Sequence, residues 1–338
     1  MGLIYILAAV SFLILFLINV IWLASNLYLT INGQIELFLH GKNPVENIYY
    51  SVYLKWIIFA DVFWLLGALI FMLRRKQYKT DPTLHHLSYN LLLNPIICII
   101  IPAYNEAGAI KKVVKEHLNQ EFVKYVIVID NKSTDDTADI AEKAGAIVIR
   151  KKKNLGFAHS YILGLKEALK TDSNIIATTE ADDNFNAYDI KKMLPYLDNC
   201  DMVIGTRQNQ ILKEKGNQNS LLHVWGNFFL AKLIQIKYFS LLHTGIVNLT
   251  DVGCIFRLIR RDALEKIVND LAFPDSDKTI AGIAVTIHLT MLGIEKDLKI
   301  IEVPITFKKR IGISKIGTNK KFHAIKVGLI FLWFILRY

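Results

Sequence analysis

The chain has 338 residues, 53% of them apolar, with 40 Lys and Arg against 30 Asp and Glu. So much apolar material excludes a disordered, collagen-like or disulfide-built chain and leaves ample matter for a core. Residues 1–73 hold two lysines and three acids, so the remainder carries the whole +10 net charge and one more; that suits an anionic membrane surface or anionic substrates, and without a basic–aromatic repeat it does not point to nucleic acid.

No formal charge precedes Glu36, and Leu3 to Leu29 is almost wholly apolar, longer than the ~20 residues a spanning helix needs. A second apolar run, Trp56 to Leu73, ends at Arg74-Arg75-Lys76. Positive charge there places the N-terminus and everything past residue 74 on the cytoplasmic side. Residues 1–75 are therefore expected to form two spans, about 3–29 and 56–73, making this an integral membrane protein. Asp61 in the second run is read as lying near the outer interface, where it meets water. Residues 76–94, with polar Lys79-Thr80-Asp81-Pro82 at their centre, read as a juxtamembrane linker.

From Pro95 the pattern changes. Short apolar runs at Ile96–Pro102, Tyr125–Asp130, Ala146–Arg150, Asn174–Thr179 and Met202–Thr206 read as buried strands. Between them, 107–120, 135–145, 157–170 and 187–198 have helical spacing. This alternation predicts an α/β fold with a doubly wound, mostly parallel sheet, whose ligands bind at the carboxyl ends of the strands. The segment 219–238, with Trp225 and Asn227, reads as an amphipathic membrane-facing helix. Residues 317–338, with only ten apolar residues from Val327 to Leu336, read as a helix lying in the membrane interface. Cys98, Cys200 and Cys254 are too scattered for a zinc site or a disulfide framework. Lys111, Lys112, Lys115 and Lys151–Lys153 read as solvated charges.

The chemistry gathers at three strand ends. Neither GxGxxG nor GxxxxGK[ST] follows the first strand, which removes the main dinucleotide and P-loop signatures. Instead the first strand runs into Pro102-Ala103-Tyr104-Asn105-Glu106, the second into Asp130-Asn131-Lys132-Ser133-Thr134-Asp135-Asp136-Thr137, and the fourth into Glu180-Ala181-Asp182-Asp183-Asn184. Alternating Glu180, Asp182 and Asn184 would share one side of a continuing strand.

These three segments, in this order and spacing, resemble the family-2 glycosyltransferases of GT-A fold. Ile204-Gly205-Thr206-Arg207, Asp251-Val252-Gly253-Cys254-Ile255-Phe256-Arg257, Glu302-Val303-Pro304-Ile305 and Arg310-Ile311-Gly312-Ile313-Ser314-Lys315 extend the likeness over residues 95–316, towards the polyprenyl-phosphate branch. The resemblance implies a membrane-bound inverting transferase that moves one sugar from a GDP- or UDP-sugar to a polyprenyl phosphate with the help of Mg²⁺ or Mn²⁺. It implies that Asp182, with Glu180 and Asn184, holds the metal, and that Pro102, Ala103, Tyr104, Glu106, Asp130, Ala181 and Asp182 surround the nucleotide sugar. Arg207, Arg310, Ser314 and Lys315 would bind the acceptor phosphate, with Asp182, Asp251 and Arg207 at the reacting centre. Three positions depart from the family pattern: Glu180 stands where Asp is common, Asn184 where Gln is often found, and Ile255 where Gly is often found. Two rivals stay open. One is transfer to a glycolipid hydroxyl, which needs a base such as Asp251 or Asp183; the other is a chain that binds nucleotide sugar without turnover.

Overall fold

The computed structural model describes residues 2–41, 62, 89–238, 247–271, 284–312 and 321–338. The chain divides into two compact units, Met1–Lys76 with Leu336–Tyr338, and Gln77–Ile335. The first unit contains one long helix, α1 (Gly2–His40). It continues well past the predicted end of the first span at residue 29. Among the described residues no helix is long and apolar enough to cross a membrane; several α1 side chains, most of the linker, and the second expected span with Asp61 (Val62 apart) fall outside the description.

The second unit begins with β1 (Ile97–Ala103), α2 (Ile110–Leu118), β2 (Val123–Asp130), α3 (Thr137–Lys143) and β3 (Ile147–Arg150). It continues through α4 (Phe157–Ala168), β4 (Ile175–Thr178), α5 (Asp189–Met193), β5 (Met202–Thr206) and α6 (Leu221–Lys237). Last come β6 (Arg257–Arg260), α7 (Arg261–Ile267), α8 (Val285–Glu295), β7 (Ile300–Pro304) and α9 (Lys321–Arg337). The strands form one sheet in the order β3-β2-β1-β4-β6-β5-β7. All neighbouring pairs are parallel except the two that β6 makes, with β4 and with β5.

The central strands are near-continuous runs of β-branched residues, as strands covered on both faces must be. Ile97, Cys98, Ile99, Ile100 and Ile101 of β1 are all buried, as are Val126 to Ile129 of β2. Helix α4 comes close to this sheet through Gly164: a Cβ there would lie 2.2 Å from Ile100 Cγ2 and 3.3 Å from Ile129 Cγ1. Both neighbours are stiff β-branched side chains with little room to give. Gly164→Ala is therefore expected to cost about 1–3 kcal/mol through overpacking, read as a lower urea midpoint with unchanged slope.

The order of strands positions the site. From β1 the sheet grows outward through β2 to β3, then the chain returns to place β4 on the other side of β1. Loops leaving β1 and β4 therefore part from one another, opening a crevice at their carboxyl ends. Backbone geometry marks the same edge. Among the described residues, the non-glycines with positive φ are Asn105 (53°), Lys132 (62°), Asp183 (65°) and Asp297 (59°). The first three follow β1, β2 and β4. Non-glycine residues hold that conformation only where neighbours compel it, which happens often at functional sites.

Candidate active site

The loops after β1 and β2 are stapled together. Asn105 N–H donates to Ser133 Oγ at 2.9 Å, and Asn105 Oδ1 accepts from the Thr134 N–H at 2.8 Å. Glu106 N–H donates to Thr137 Oγ1 at 2.8 Å, and Ala107 N–H to Asp135 Oδ2 at 3.3 Å. Asp135 also accepts the Thr137 N–H at 3.1 Å, just before α3 begins. These bonds explain the polar run after Asp130: most of it fixes the loop beneath a ligand. Asp130 itself is buried, and among the described residues its carboxylate oxygens accept only the Ser133 N–H, each at 3.3 Å. Asn131 is anchored from a third loop, its Oδ1 accepting from Lys151 Nζ at 2.7 Å and its Nδ2 donating to Asn154 Oδ1 at 2.7 Å. Lys151 also reaches Ser160 Oγ at 3.1 Å, so it is a structural tie of this edge and not the solvated charge its sequence context predicts. Pro102 and Ala103 close β1, Ala103 buried, and Tyr104 is half-buried beside them.

The acid loop corrects the pleat argument. Strand β4 ends at Thr178, so Glu180, Asp182 and Asn184 do not alternate along a strand. A bend brings them together instead, with Asp183 at φ +65°. Asn184 N–H donates to Asp182 Oδ1 at 3.2 Å, while Asn184 Nδ2 donates to Asp182 Oδ2 at 3.0 Å and Glu180 Oε2 at 3.2 Å. Asp182, Asn184 and the intervening Asp183 are buried, as is Ala181. Burial and the neighbouring Glu180 push the Asp182 carboxyl up, and Arg310 pulls it only partly back, leaving it at about 8. Asn184 Oδ1 is a buried acceptor with no hydrogen-bond partner among the described residues.

Those observations fit a divalent cation: a buried carboxyl, Asp182, that resists ionising in the absence of positive charge, and an orphaned amide oxygen beside it. Among the described residues no three His, Cys, Asp or Glu side chains converge as a metal cage. Glu180, Asp182 and Asn184 would thus leave part of the coordination to water or phosphate oxygens, a common arrangement for Mg²⁺.

Each predicted phosphate-binding arginine is engaged by carboxylates. Arg207 Nε and Nη2 grip Asp251 Oδ2 and Oδ1 at 2.7 and 2.8 Å, and the Arg207 backbone N–H adds a bond of 3.1 Å. Asp251 is completely buried. Burial pushes its carboxyl up, but the Arg207 charge and hydrogen bonds outweigh that and hold it below the ordinary carboxylate range. Arg207 Nη1 has no hydrogen bond to any described residue, and the guanidinium lies over the Phe307 ring with Cζ 5.4 Å from its centre. Arg310 lies instead on the acid loop, Nη1 2.9 Å from Asp182 Oδ2 and Nη2 2.5 Å from Glu106 Oε1. The sequence placed it with the acceptor; the structure places it between the first and fourth strand ends. Ser314 and Lys315 lie outside the described residues.

Three further residues shape the site. Glu302 on β7 accepts from Thr250 N–H and Oγ1, both at 2.7 Å, and from Asp251 N–H at 3.0 Å, so it fixes the loop that presents Asp251. Its place in the Glu-Val-Pro-Ile segment was the available signal. Asp183 is drawn away by Lys112 Nζ at 2.7 Å and Lys308 Nζ at 2.5 Å, so Lys112 too is more than a solvated charge. These pairings need contacts over 71 and 125 residues, which local pattern does not reveal.

Residues 98–268 match the family model described as glycosyl transferase family 2. An uncharacterized protein of Methanocaldococcus jannaschii is 32% identical over 226 residues, 66% of this chain and 86% of that one. The polyprenol monophosphomannose synthase of Mycolicibacterium smegmatis is 27% identical over 68% of this chain and 84% of its own. The undecaprenyl-phosphate mannosyltransferase of Micrococcus luteus is 26% identical over 65% and 87%. Among solved structures, a glucosyl-3-phosphoglycerate synthase from Mycobacterium tuberculosis matches 72% of this chain and 80% of its own, at 17% identity and a TM-score of 0.49.

Proposed function

Since the chain belongs to glycosyl transferase family 2 and is a glycosyltransferase, we propose that it moves one sugar from a GDP- or UDP-sugar to a polyprenyl phosphate at the cytoplasmic face of a membrane, with inversion. The relatives named for polyprenol and undecaprenyl phosphate support the acceptor. The carrying observation is that both candidate bases are occupied. Asp251 is locked by Arg207, and Asp183 by Lys112 and Lys308. A hydroxyl acceptor needs a base; a phosphate is already ionised and needs only orientation.

In this reading an acceptor phosphate oxygen bonds to the anomeric carbon as the bond from that carbon to the donor diphosphate breaks. The electron pair leaves with the nucleoside diphosphate, and no proton moves. Asp130 and the β1 loop would hold the nucleoside, and Arg207 Nη1 would orient the acceptor phosphate. A divalent cation held by Asp182, Glu180 and Asn184 would supply charge stabilisation to the leaving diphosphate.

Membrane association rests on the two apolar runs and on surfaces within the second unit. Helix α6 exposes Leu221 (77%), Trp225 (67%) and Phe229 (51%), and α9 exposes Phe322 (90%) and Leu329 (58%). Lys237 at the end of α6 donates to the Ile335 carbonyl of α9 at 2.8 Å, so these helices meet. Exposed aromatic and aliphatic side chains beside lysines suit a headgroup boundary.

The test offers labelled GDP-mannose, UDP-glucose and UDP-N-acetylglucosamine to the purified full chain in detergent, each with a polyprenyl phosphate, with Mn²⁺ or with chelator. Metal-dependent label in the acidic lipid fraction is expected from one donor. Label entering a neutral glycolipid, with polyprenyl phosphate ignored, would overturn the acceptor.

A further inference from the structure

We propose that Arg310 is the resident cation of the acid cluster, and that a divalent metal gains Asp182 only when a phosphate group draws Arg310 away. This rests on the metal-assisted reading above. Metal entry is then an exchange of cations, and Arg310 is a positioning residue for it.

The geometry divides a fixed strap from a movable side chain. After β7, Lys308 N–H donates to the Asn184 carbonyl at 2.7 Å and Ile311 N–H to the Asp182 carbonyl at 3.0 Å. Lys309 N–H donates to Glu214 Oε2 at 2.5 Å, and Lys308 Nζ is held by Asp183. The main chain is thus bonded on both sides of Arg310. The Arg310 guanidinium alone reaches into the cluster, bridging Asp182 and Glu106. Its Nε is buried with no hydrogen-bond partner, so two edges of the fork are used and the third is not.

Both oxygens of the carboxylate it grips are engaged, Oδ2 by two donors and Oδ1 by one. Asp182 Oδ1 takes the Asn184 N–H, and Oδ2 takes both Asn184 Nδ2 and Arg310 Nη1. A divalent ion bonded to Oδ2 would stand within about 4 Å of the guanidinium in a buried setting, where like charges are poorly screened. A metal arriving alone at Oδ2 therefore meets two resident donors and a repelling charge. A metal arriving with a phosphate brings its own counter-charge, and offers the planar guanidinium a bidentate acceptor as good as the carboxylate it leaves.

Binding of Mn²⁺ itself tests this, by EPR titration of the full chain in detergent. Without nucleotide, Arg310→Gln is expected to bind Mn²⁺ at least tenfold more tightly than wild type, and Arg310→Lys, which keeps the charge, to stay close to wild type. Adding GDP or UDP should tighten wild type at least tenfold and close most of the gap to Arg310→Gln. Inorganic phosphate in place of nucleotide separates the phosphate group from the nucleoside: tightening by both assigns the effect to phosphate, and tightening by nucleotide alone assigns it to the donor. Asp182→Asn added to Arg310→Gln should abolish the gained affinity. If Arg310→Gln binds Mn²⁺ no better than wild type while wild type still takes it up with nucleotide, the exchange is wrong and the proposed function stands. If the gained ion survives Asp182→Asn, it lies elsewhere and the exchange is again wrong. If no variant takes up Mn²⁺ even with nucleotide, the metal-assisted reading falls with it.

Discussion

Asp182→Asn is expected to lower kcat for sugar transfer by about 10³-fold or more, because it removes the buried carboxylate on which charge stabilisation of the leaving group would depend. The same change should leave the fold as stable as wild type or more so. Burial and Glu180 raise the Asp182 carboxyl to about 8, so the native state disfavours its ionised form. A carboxyl raised on folding adds a term to stability that is present at low pH and is lost as pH climbs from its ordinary value towards about 8. Asparagine carries no such term. The metal-free variant should therefore equal wild type near pH 3, exceed it increasingly from about pH 4 upward and by most above pH 8, read from thermal melts across that range. A variant that keeps more than a tenth of wild-type kcat would remove Asp182 from the chemistry.

Asp251→Asn should do the reverse, damaging the fold first. Asp251 is fully buried and takes two side-chain bonds and one backbone bond from Arg207. Removing one member of such a pair leaves an uncompensated guanidinium in the interior and costs about 3–5 kcal/mol. The control is the double variant Arg207→Met with Asp251→Leu. Replacing a buried pair by apolar residues of similar size is often neutral or better, so most of the lost stability should return. Activity should not, if Arg207 Nη1 orients the acceptor phosphate as proposed. Urea denaturation of the four proteins in the cycle separates the pair's coupling from its parts. A loss below 1 kcal/mol for Asp251→Asn would mean that water reaches Arg207 and that the pair is not sealed.

The core of the sheet was legible because strands buried on both faces announce themselves. Ile-Cys-Ile-Ile-Ile and Val-Ile-Val-Ile leave few alternatives, and the expected strands differ from those observed by one or two residues at most ends. Strand β6 was not legible. Its sequence is Arg-Leu-Ile-Arg, yet Arg257 is fully buried, donating from Nε to the Cys254 carbonyl and from Nη1 to Thr290 Oγ1, each at 2.9 Å. A pattern of apolar residues cannot predict a buried arginine that is satisfied by a carbonyl three residues before it and by Thr290 on α8. The acid loop was legible in composition and misread in geometry: the residues were named correctly as a group, but a turn gathers them and not a pleat. Arg310 shows the same limit. Sequence could assign it to phosphate, but only the fold shows which carboxylates hold it.

Arg310 and Glu106 are separated by 204 residues, and that distance orders events during synthesis. The strands β1 to β4 are complete once about half the chain exists, and they pair mainly with near neighbours in sequence. Strand β6 must then enter between β4 and a β5 made before it, and long-range closures of this kind are slow. Until the ribosome has passed residue 310, Glu106 and Asp182 have no guanidinium between them. A nascent chain therefore carries its acids well before their counter-charge, and the last part of the sheet to assemble is also what makes the cluster electrostatically tolerable. Truncation before residue 310 would leave a sheet in which those carboxylates must either take up protons or keep the crevice open to water.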